Sequence, residues 1–387
     1  MPTANSSNRI FLVAGEVSGD LHGADLAREL LALHPQIRLE GLGGQRMAAA
    51  GVTLLEDSSA WGVIGWFEAA RHLRPFLRRL DAVTTRLLDD PPSLVVPIDF
   101  PGFNLALLNR LRGRIRAVYY VPPMVSVRRG RRAARVASLG ARLLAIFPFE
   151  AESYREAGAD VTFVGHPAVD HMLVVDPSAT VRARLGLAPD APVLGLLPGS
   201  RQQELQLLLP RMLDAARRIR HDDPTVACLL ALASPIFREA VEAEVSASGL
   251  PITIVDGARD VMTASTVLLM ASGTATVEAM VLGVPMVVTY RGSGLSWLYV
   301  HLAVKSRWAS IPNILAHEGF VPELIQGRAT ADAMSASVQA LLRSPTEREK
   351  MQRRLKGLAG LLGPPGAARR AAGEILGAMG MSTLRPL

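Results

Sequence analysis

The sequence predicts an α/β protein of two Rossmann-like halves, each a parallel sheet covered by helices, followed by a helical tail. Three observations predict it. Short apolar runs alternate with stretches of helical period along most of the chain, which is the pattern of repeated βαβ units. Several of those runs end in a glycine-containing loop that opens a helix, as in a parallel sheet buried on both faces. The 387 residues, 49% hydrophobic and 20% charged, are too many for one compact core and too apolar for a disordered chain.

Residues 9–14 (RIFLVA) read as a buried strand that ends in the loop GEVSGDLHG at 15–23, and 24–33 has helical periodicity. A second strand at 37–42 meets Gly43 and Gly44 before a helix starts at 45–47. The strand 94–98 (LVVPI) delivers Asp99 at its C-terminal end, the end at which open α/β sheets bind ligands. Further strands are expected at 117–121, 143–147 and 161–164. Gly165, His166 and Pro167 break the pattern, and the segment running to residue 191 reads as a crossover between halves. A second series of strands follows at 193–197, 227–231, 252–254, 267–270 and 286–289, and from residue 332 the chain is helical, over 333–342, 346–362 and 367–379. The predicted domains are therefore 1–168 and 169–362, with 363–387 as a terminal helix. Two such halves with a helical tail fit the GT-B architecture, in which ligand occupies a cleft between the halves.

The second half carries two loops of one kind. LGLLPGSRQQEL at 194–205 is strand, tight turn and helix start. Gly199 permits close backbone approach, the first N–H groups of the helix lack internal partners, and Arg201 supplies a planar positive fork beside Ser200 and Glu204. ASGTA at 271–275 repeats the arrangement. There Ser272 and Thr274 offer hydroxyls, Gly273 permits close approach, and Glu278 one turn on could accept from both hydroxyls of a ribose. Each alone equally suits an ordinary capped helix; two in one half point to a nucleoside diphosphate.

In the first half, GEVSGD is not the dinucleotide motif GxGxxG. Glu16 puts negative charge where a pyrophosphate would sit, which argues against a nicotinamide or flavin, and no cofactor is expected. A carboxylate among glycines suits sugar hydroxyls instead, and His22 is a polar contact, a base or a satisfied loop histidine. Asp99 is the choice for the chemical step, since an aspartate at the mouth of a strand can act as a base near neutrality. The competing reading is a turn aspartate that caps the next helix. No HxH, HxxxH or clustered DxD pattern offers a metal site, so charge on a leaving diphosphate falls to Arg201 and helix N-termini.

A net charge of +7 suits nucleic acid, an acidic membrane surface or a phosphorylated substrate. Nucleic acid is the weakest of these, with aromatics at 5% and no zinc-finger, RRM or KH pattern. The single cysteine, Cys228, fits a reducing compartment. The N-terminus lacks the pattern of a signal peptide, and no apolar run nears the roughly 20 residues of a bilayer span. Trp61, Val63, Ile64, Trp66 and Phe67 precede Arg71, Arg74 and Arg78. This is the composition of an interfacial helix on anionic lipid, or of a core helix with a solvated basic face.

These segments together resemble lipid-A-disaccharide synthases over nearly the whole chain. The matching pieces are VAGEVSGD (13–20), GGQRM (43–47), the IDxPxFN block (98–104), FPFE (147–150), GH (165–166), LLPGSRxxE (196–204), ASGTA with Glu278, YR (290–291) and IPNIL (311–315). The resemblance implies a GT-B fold and an inverting transfer from UDP-2,3-diacylglucosamine to 2,3-diacylglucosamine 1-phosphate (lipid X). The products are a β-1,6 disaccharide 1-phosphate and UDP. It implies a peripheral enzyme on the cytoplasmic face of the inner membrane, no metal in the chemical step, and a terminal helix that returns to the first domain or exchanges within a homodimer. It places Asp99 in the catalytic position, with Glu16 beside it as a catalytic residue lining the acceptor side. Ser18, Asp20, His22, Asn104 and Asn313 fall on the acceptor side or in the cleft, and Arg201, Ser272, Thr274 and Glu278 at the nucleotide. It favours the membrane reading of residues 61–80.

The sequence departs from the family's pattern in the first half. Where the family reads SPSVWAWR, residues 122–129 read PPMVSVRR, so both tryptophans are replaced, by Ser126 and Arg128. The usual second acidic residue of the Asp99 block is Gly102. The alternatives are thus a divergent paralogue with another lipid or polyol acceptor, or a non-catalytic protein that binds UDP-sugar or lipid.

Overall fold

The computed structural model describes residues 8–58, 69–125, 130–292 and 308–381. Its contacts divide the chain into one unit that runs to Pro167 and resumes at Leu362, and a second spanning Ala168–Leu361.

The first unit holds β1 (Arg9–Val13), β2 (Arg38–Gly43), β3 (Thr53–Asp57), β4 (Leu94–Pro97), β5 (Val118–Tyr120), β6 (Arg142–Ala145) and β7 (Val161–Phe163). Every pair is parallel. The orders are β3-β2-β1-β4 and β5-β6-β7, and isolated parallel bridges at Val95–Ala117 and Ile98–Tyr120 join β4 to β5. The spatial order is therefore 3-2-1-4-5-6-7. β1 and β4 are apolar and buried almost throughout, as central strands covered on both faces must be. On one face Phe11, Val13 and Val95 pack with Leu80, Val83 and Leu87 of the helix Ala69–Asp89 and with Phe103, Leu107 and Leu111 of the helix Pro101–Leu111.

The second unit holds β8 (Val193–Leu197), β9 (Ala227–Leu232), β10 (Ile252–Asp256), β11 (Val267–Ala271), β12 (Met286–Tyr290) and β13 (Glu323–Ile325). They form one parallel sheet in the order 10-9-8-11-12-13, the same winding as β3-β2-β1-β4-β5-β6. Both units are doubly wound, and with their helices they form the GT-B fold.

The chain resumes the first unit through its end. The helix Ala367–Ala378 packs against the helix Val17–Leu33, with ion pairs Arg369–Glu29 at 3.4 Å and Arg142–Glu374 at 2.5 Å. Arg370 donates to the carbonyls of Val164, Pro364 and Pro365 at 2.6–2.8 Å.

Three local expectations change. The first helix begins at Val17, not residue 24, so Ser18, Asp20 and His22 are helical rather than in a loop. Gly19 and Gly23 lower helix propensity but sit in close packing: a Cβ at Gly23 would lie 2.5 Å from Met47 Sδ, which would have to shift, and one at Gly19 3.3 Å from Ala14 Cβ, a tight contact. The expected crossover contains two helices, Pro167–Leu173 and Ser178–Arg184. Finally β3 and β13 are strands the apolar pattern does not signal, because both are edge strands that carry acidic residues (Glu56 and Asp57 in β3, Glu323 in β13).

Candidate active site

In a doubly wound sheet, ligands bind beyond the carboxyl ends of the strands where the winding reverses, because the loops there diverge and leave a crevice. The reversal lies between β1 and β4 in the first unit and between β8 and β11 in the second. Glu16 and Ser18 follow β1, Asp99 follows β4, Gly199–Arg201 follow β8, and Ser272–Thr274 follow β11, so these residues fall at those two points.

After β4 the backbone turns abruptly. Asp99 and Phe100 have φ of 48° and 49°, two consecutive non-glycine residues in the left-handed region, a conformation that costs energy and must be held by its surroundings. The surroundings are visible. Buried Asn104 donates through Nδ2 to the carbonyls of Asp99 (2.7 Å), Val13 (3.2 Å) and Ile98 (3.3 Å). The Tyr119 hydroxyl donates to the Asp99 carbonyl at 2.8 Å. Phe100 stacks on Phe103, with ring centroids 5.7 Å apart, and its ring lies where a side chain at Gly15 would stand, 2.3 Å from an added Cβ. The Asp99 side chain is half-buried and accepts from Ser18 Oγ at 3.2 Å. Half-buried Glu16 is the residue from which the helix Val17–Leu33 starts. Asp99, Ser18, Glu16 and Asn104 are thus gathered at one strand-end locus.

Asp20 and His22 have other surroundings. The Asp20 carboxylate accepts the N–H groups of Gly44 (2.7 Å), Met47 (3.1 Å) and Arg46 (3.2 Å), so it caps the short helix Gln45–Ala49. His22 is 6% exposed and meets the Tyr120 ring edge-on at 6.4 Å. Sequence reasoning missed Tyr119 and found Glu150 only as the end of FPFE. Glu150 is 2% exposed. Burial first, and the charge of Asp99 second, push its carboxyl well above the usual range, while the Phe147 N–H works against both.

In the second unit, Gly199 has φ of 113°, and a Cβ there would lie 2.3 Å from Glu204 Oε2. Only glycine fits. The Glu204 carboxylate accepts the N–H groups of Ser200 (3.0 Å) and Arg201 (3.3 Å) and the Arg201 guanidinium at 3.2 Å. Glu204 therefore shapes the loop, while the Arg201 side chain stays 60% exposed at the start of the helix Gln202–Asp222. Tyr290, at the end of β12, is near both. Burial raises its hydroxyl, Glu204 adds to this, and Arg201 opposes it. The sequence marks YR as a motif but gives Tyr290 no role.

Across the reversal, Gly273 and Thr274 are exposed at the start of the helix Ala275–Leu282. The Ser272 hydroxyl donates to the Ala309 carbonyl at 2.7 Å. Burial raises the Glu278 carboxyl, against the opposing charges of His171 and Arg259. Asn313 braces a turn. Its amide brackets residues 313–323, donating to Val321 O (2.9 Å) and Glu323 Oε1 (2.8 Å) and accepting from the Phe320 and Val321 N–H groups.

Among the described residues no cluster of three or more His, Cys, Asp or Glu could hold a metal ion, and no helix is long and apolar enough to cross a membrane. The helix Ala69–Asp89 presents exposed Arg74 and Arg78 with Leu77 between them, and Arg71 is on its first turn. Trp61, Val63, Ile64, Trp66 and Phe67, with the departures Ser126 and Arg128, lie outside the described residues.

Comparison with known proteins adds three findings. The family model described as lipid-A-disaccharide synthetase matches residues 10–363. Lipid-A-disaccharide synthases of Geobacter sulfurreducens and Myxococcus xanthus are each 38% identical to this chain. The first match covers 98% of this chain and 99% of that protein, the second 95% and 97%. Among solved structures, the UDP-GlcNAc 2-epimerase of Neisseria meningitidis bound to UDP-GlcNAc superposes with a TM-score of 0.66 at 14% identity, over 95% of this chain and 100% of that one. A glycosyltransferase of Rickettsia africae does so with a TM-score of 0.55 at 11% identity, over 96% and 98%. At such identities the structural likeness concerns the fold alone.

Proposed function

This chain belongs to the lipid-A-disaccharide synthetase family, and from that premise we propose that it joins two acylated glucosamines by inverting transfer from a UDP donor. The family makes it a glycosyltransferase of the lipid A route. The donor in this reading is UDP-2,3-diacylglucosamine, the acceptor 2,3-diacylglucosamine 1-phosphate, and the products lipid A disaccharide 1-phosphate and UDP.

The observation that carries the reading is Asp99, a half-buried carboxylate on a strained strand end, held by Asn104 and Tyr119. Its role is to take the proton of the acceptor hydroxyl as that oxygen attacks the anomeric carbon opposite the departing diphosphate. Glu16 and Ser18 would hold the acceptor sugar. In the second unit, Arg201 and the N–H groups around Gly199 and Ser200 would meet the charge that builds on the leaving diphosphate. Ser272, Gly273 and Thr274 would add contacts to it. Glu278 would accept from the ribose. For Asp20, Glu204 and Asn313 the proposed roles are structural, because backbone N–H groups occupy their oxygens.

The basic, leucine-bearing face of the helix Ala69–Asp89 supports a peripheral contact with an anionic leaflet. Exchange of the family's two tryptophans for Ser126 and Arg128 favours a second reading, a related acceptor with different acyl chains or polyol. Mass spectrometry of products from a panel of UDP-sugars and lipid acceptors tests both. Disaccharide from UDP-diacylglucosamine and lipid X is expected. Bound UDP with no such product would remove the acceptor assignment.

A further inference from the structure

Glu323, on the edge strand β13, has no part in the chemistry assigned so far, yet its carboxylate is filled. Oε1 accepts the Ser310 N–H at 2.9 Å, the Ser310 hydroxyl at 2.7 Å and the Asn313 amide at 2.8 Å, while Oε2 accepts the Ala309 N–H at 2.9 Å. Four donors are about what two carboxylate oxygens can take. Ser310 and Asn313 are fully buried, so water does not readily replace what they give to Glu323. The carboxylate therefore fixes the Ala309–Ser310 peptide.

The carbonyl of the same Ala309 faces the loop that follows β11. It accepts the Ser272 hydroxyl at 2.7 Å, and the Ser272 N–H donates to the Thr289 carbonyl of β12 at 2.9 Å. Both donors of Ser272 are thus engaged within the fold. Ser272 is the first residue after β11 and directly precedes exposed Gly273 and Thr274. Two hydrogen bonds in series, both through Ala309, lead from the Glu323 carboxylate to that loop.

We propose that Glu323 is a positioning residue for the nucleotide loop. Its carboxylate holds the Ala309–Ser310 peptide so that the Ala309 carbonyl can hold Ser272, and Ser272 fixes where Gly273 and Thr274 meet the nucleoside diphosphate. A loop of small residues has much conformational freedom to lose on binding, and anchoring it beforehand removes that cost from the affinity. The inference rests on the proposed nucleotide site and narrows the part of Ser272 there, whose hydroxyl proton is already given to Ala309.

Glu323→Gln in the full-length protein tests this. The amide keeps size and one acceptor oxygen but turns an NH2 group toward other donors, so the Ala309–Ser310 peptide has to shift. The UDP Kd, read by calorimetry well below the melting temperature, is expected to rise about tenfold. Thr330→Ala sets the baseline for a loss of stability alone. It removes the hydroxyl that caps the helix Ala331–Arg343, and it should melt lower while its UDP Kd stays within about twofold of wild type. A double-mutant cycle then separates a chain of contacts from independent ones. If Glu323 acts through Ala309 on Ser272, E323Q combined with Ser272→Ala weakens UDP binding no further than the more damaging single change. Fully additive losses overturn the proposal, as does an E323Q protein that melts lower but binds UDP like the wild type, or an equal loss of affinity in T330A. Should E323Q fail to fold, Ser310→Ala removes one of the four donors and should raise the UDP Kd about threefold; an unchanged Kd overturns the proposal. A wild type that binds no UDP would instead remove the nucleotide site itself.

Discussion

Asn104 Nδ2 stands 2.7 Å from the backbone carbonyl oxygen of Asp99, and the same amide group reaches the carbonyls of Val13 and Ile98. One side chain thus ties together the two strand ends between which the sheet reverses, and holds the left-handed turn that aims Asp99. Asn104→Leu should cost about 1–3 kcal/mol through the loss of a buried amide donor shared by three carbonyls, although the Asp99 carbonyl keeps the Tyr119 hydroxyl and the Val13 carbonyl keeps the Ile98 N–H, measured by urea unfolding. Turnover should fall further than stability alone would dictate, because the turn relaxes. Unchanged kinetics would show that the turn holds itself.

Asp99→Asn removes the proposed base but keeps its shape. The expected loss in kcat is about 10²–10⁴-fold, with the Kd for UDP, read by calorimetry, unchanged within about twofold, because the proposed nucleotide contacts belong to the other unit. A parallel collapse of UDP affinity would make Asp99 a structural residue.

Gly15→Ala inserts a methyl 2.3 Å from the Phe100 ring, which is itself stacked on Phe103. The ring has to move, at a cost of about 1–3 kcal/mol, and the Asp99 turn moves with it. Thermal melting should register the first effect and turnover the second.

Glu204→Gln leaves the Ser200 and Arg201 N–H groups facing an amide that cannot accept from both and also pair with the guanidinium. UDP affinity should weaken about tenfold, equivalent to about 1.4 kcal/mol. Gly199→Ala should do at least as much, given a φ of 113° and an added Cβ 2.3 Å from Glu204 Oε2. Calorimetric titration with UDP checks both.

Glu278 gives a pH dependence with a definite sign. It can accept two ribose hydroxyls only when ionised, and burial raises its carboxyl above the ordinary value of 4.5. UDP affinity should therefore fall on acidification before an ordinary carboxylate would protonate. In Glu278→Gln the affinity should be lower and nearly flat over the same range.

Much of this was legible in the chain. Apolar runs such as 94–98 and 193–197 have to be buried strands, and a glycine loop followed by a helix start reads as a strand-end ligand loop. That is why Asp99, Arg201 and the Ser272–Glu278 stretch stand out in the sequence. Glu204 stands out too, but its role does not, because sequence gives no sign that its carboxylate is filled by two N–H groups four and three residues back. The helical start at Val17 was hidden for a related reason. Gly19 and Gly23 signal a loop by propensity, and only Ala14 and Met47 packed close to them show what small residues gain within this helix.

By itself, then, the order of residues determined the winding, the strand ends and the chemical types gathered there, because periodicity and loop chemistry are local properties. Only the tertiary structure decided which polar side chains work and which merely hold. Asp20 and Asn313 spend their oxygens on backbone N–H groups, Asn104 supports a neighbour's carbonyl, and Glu150 is buried away from water. Hydrogen-bond saturation depends on where the fold puts each group, sometimes from far along the chain, as when Asp20 meets the N–H groups of Gly44 and Met47, and propensity alone does not show it.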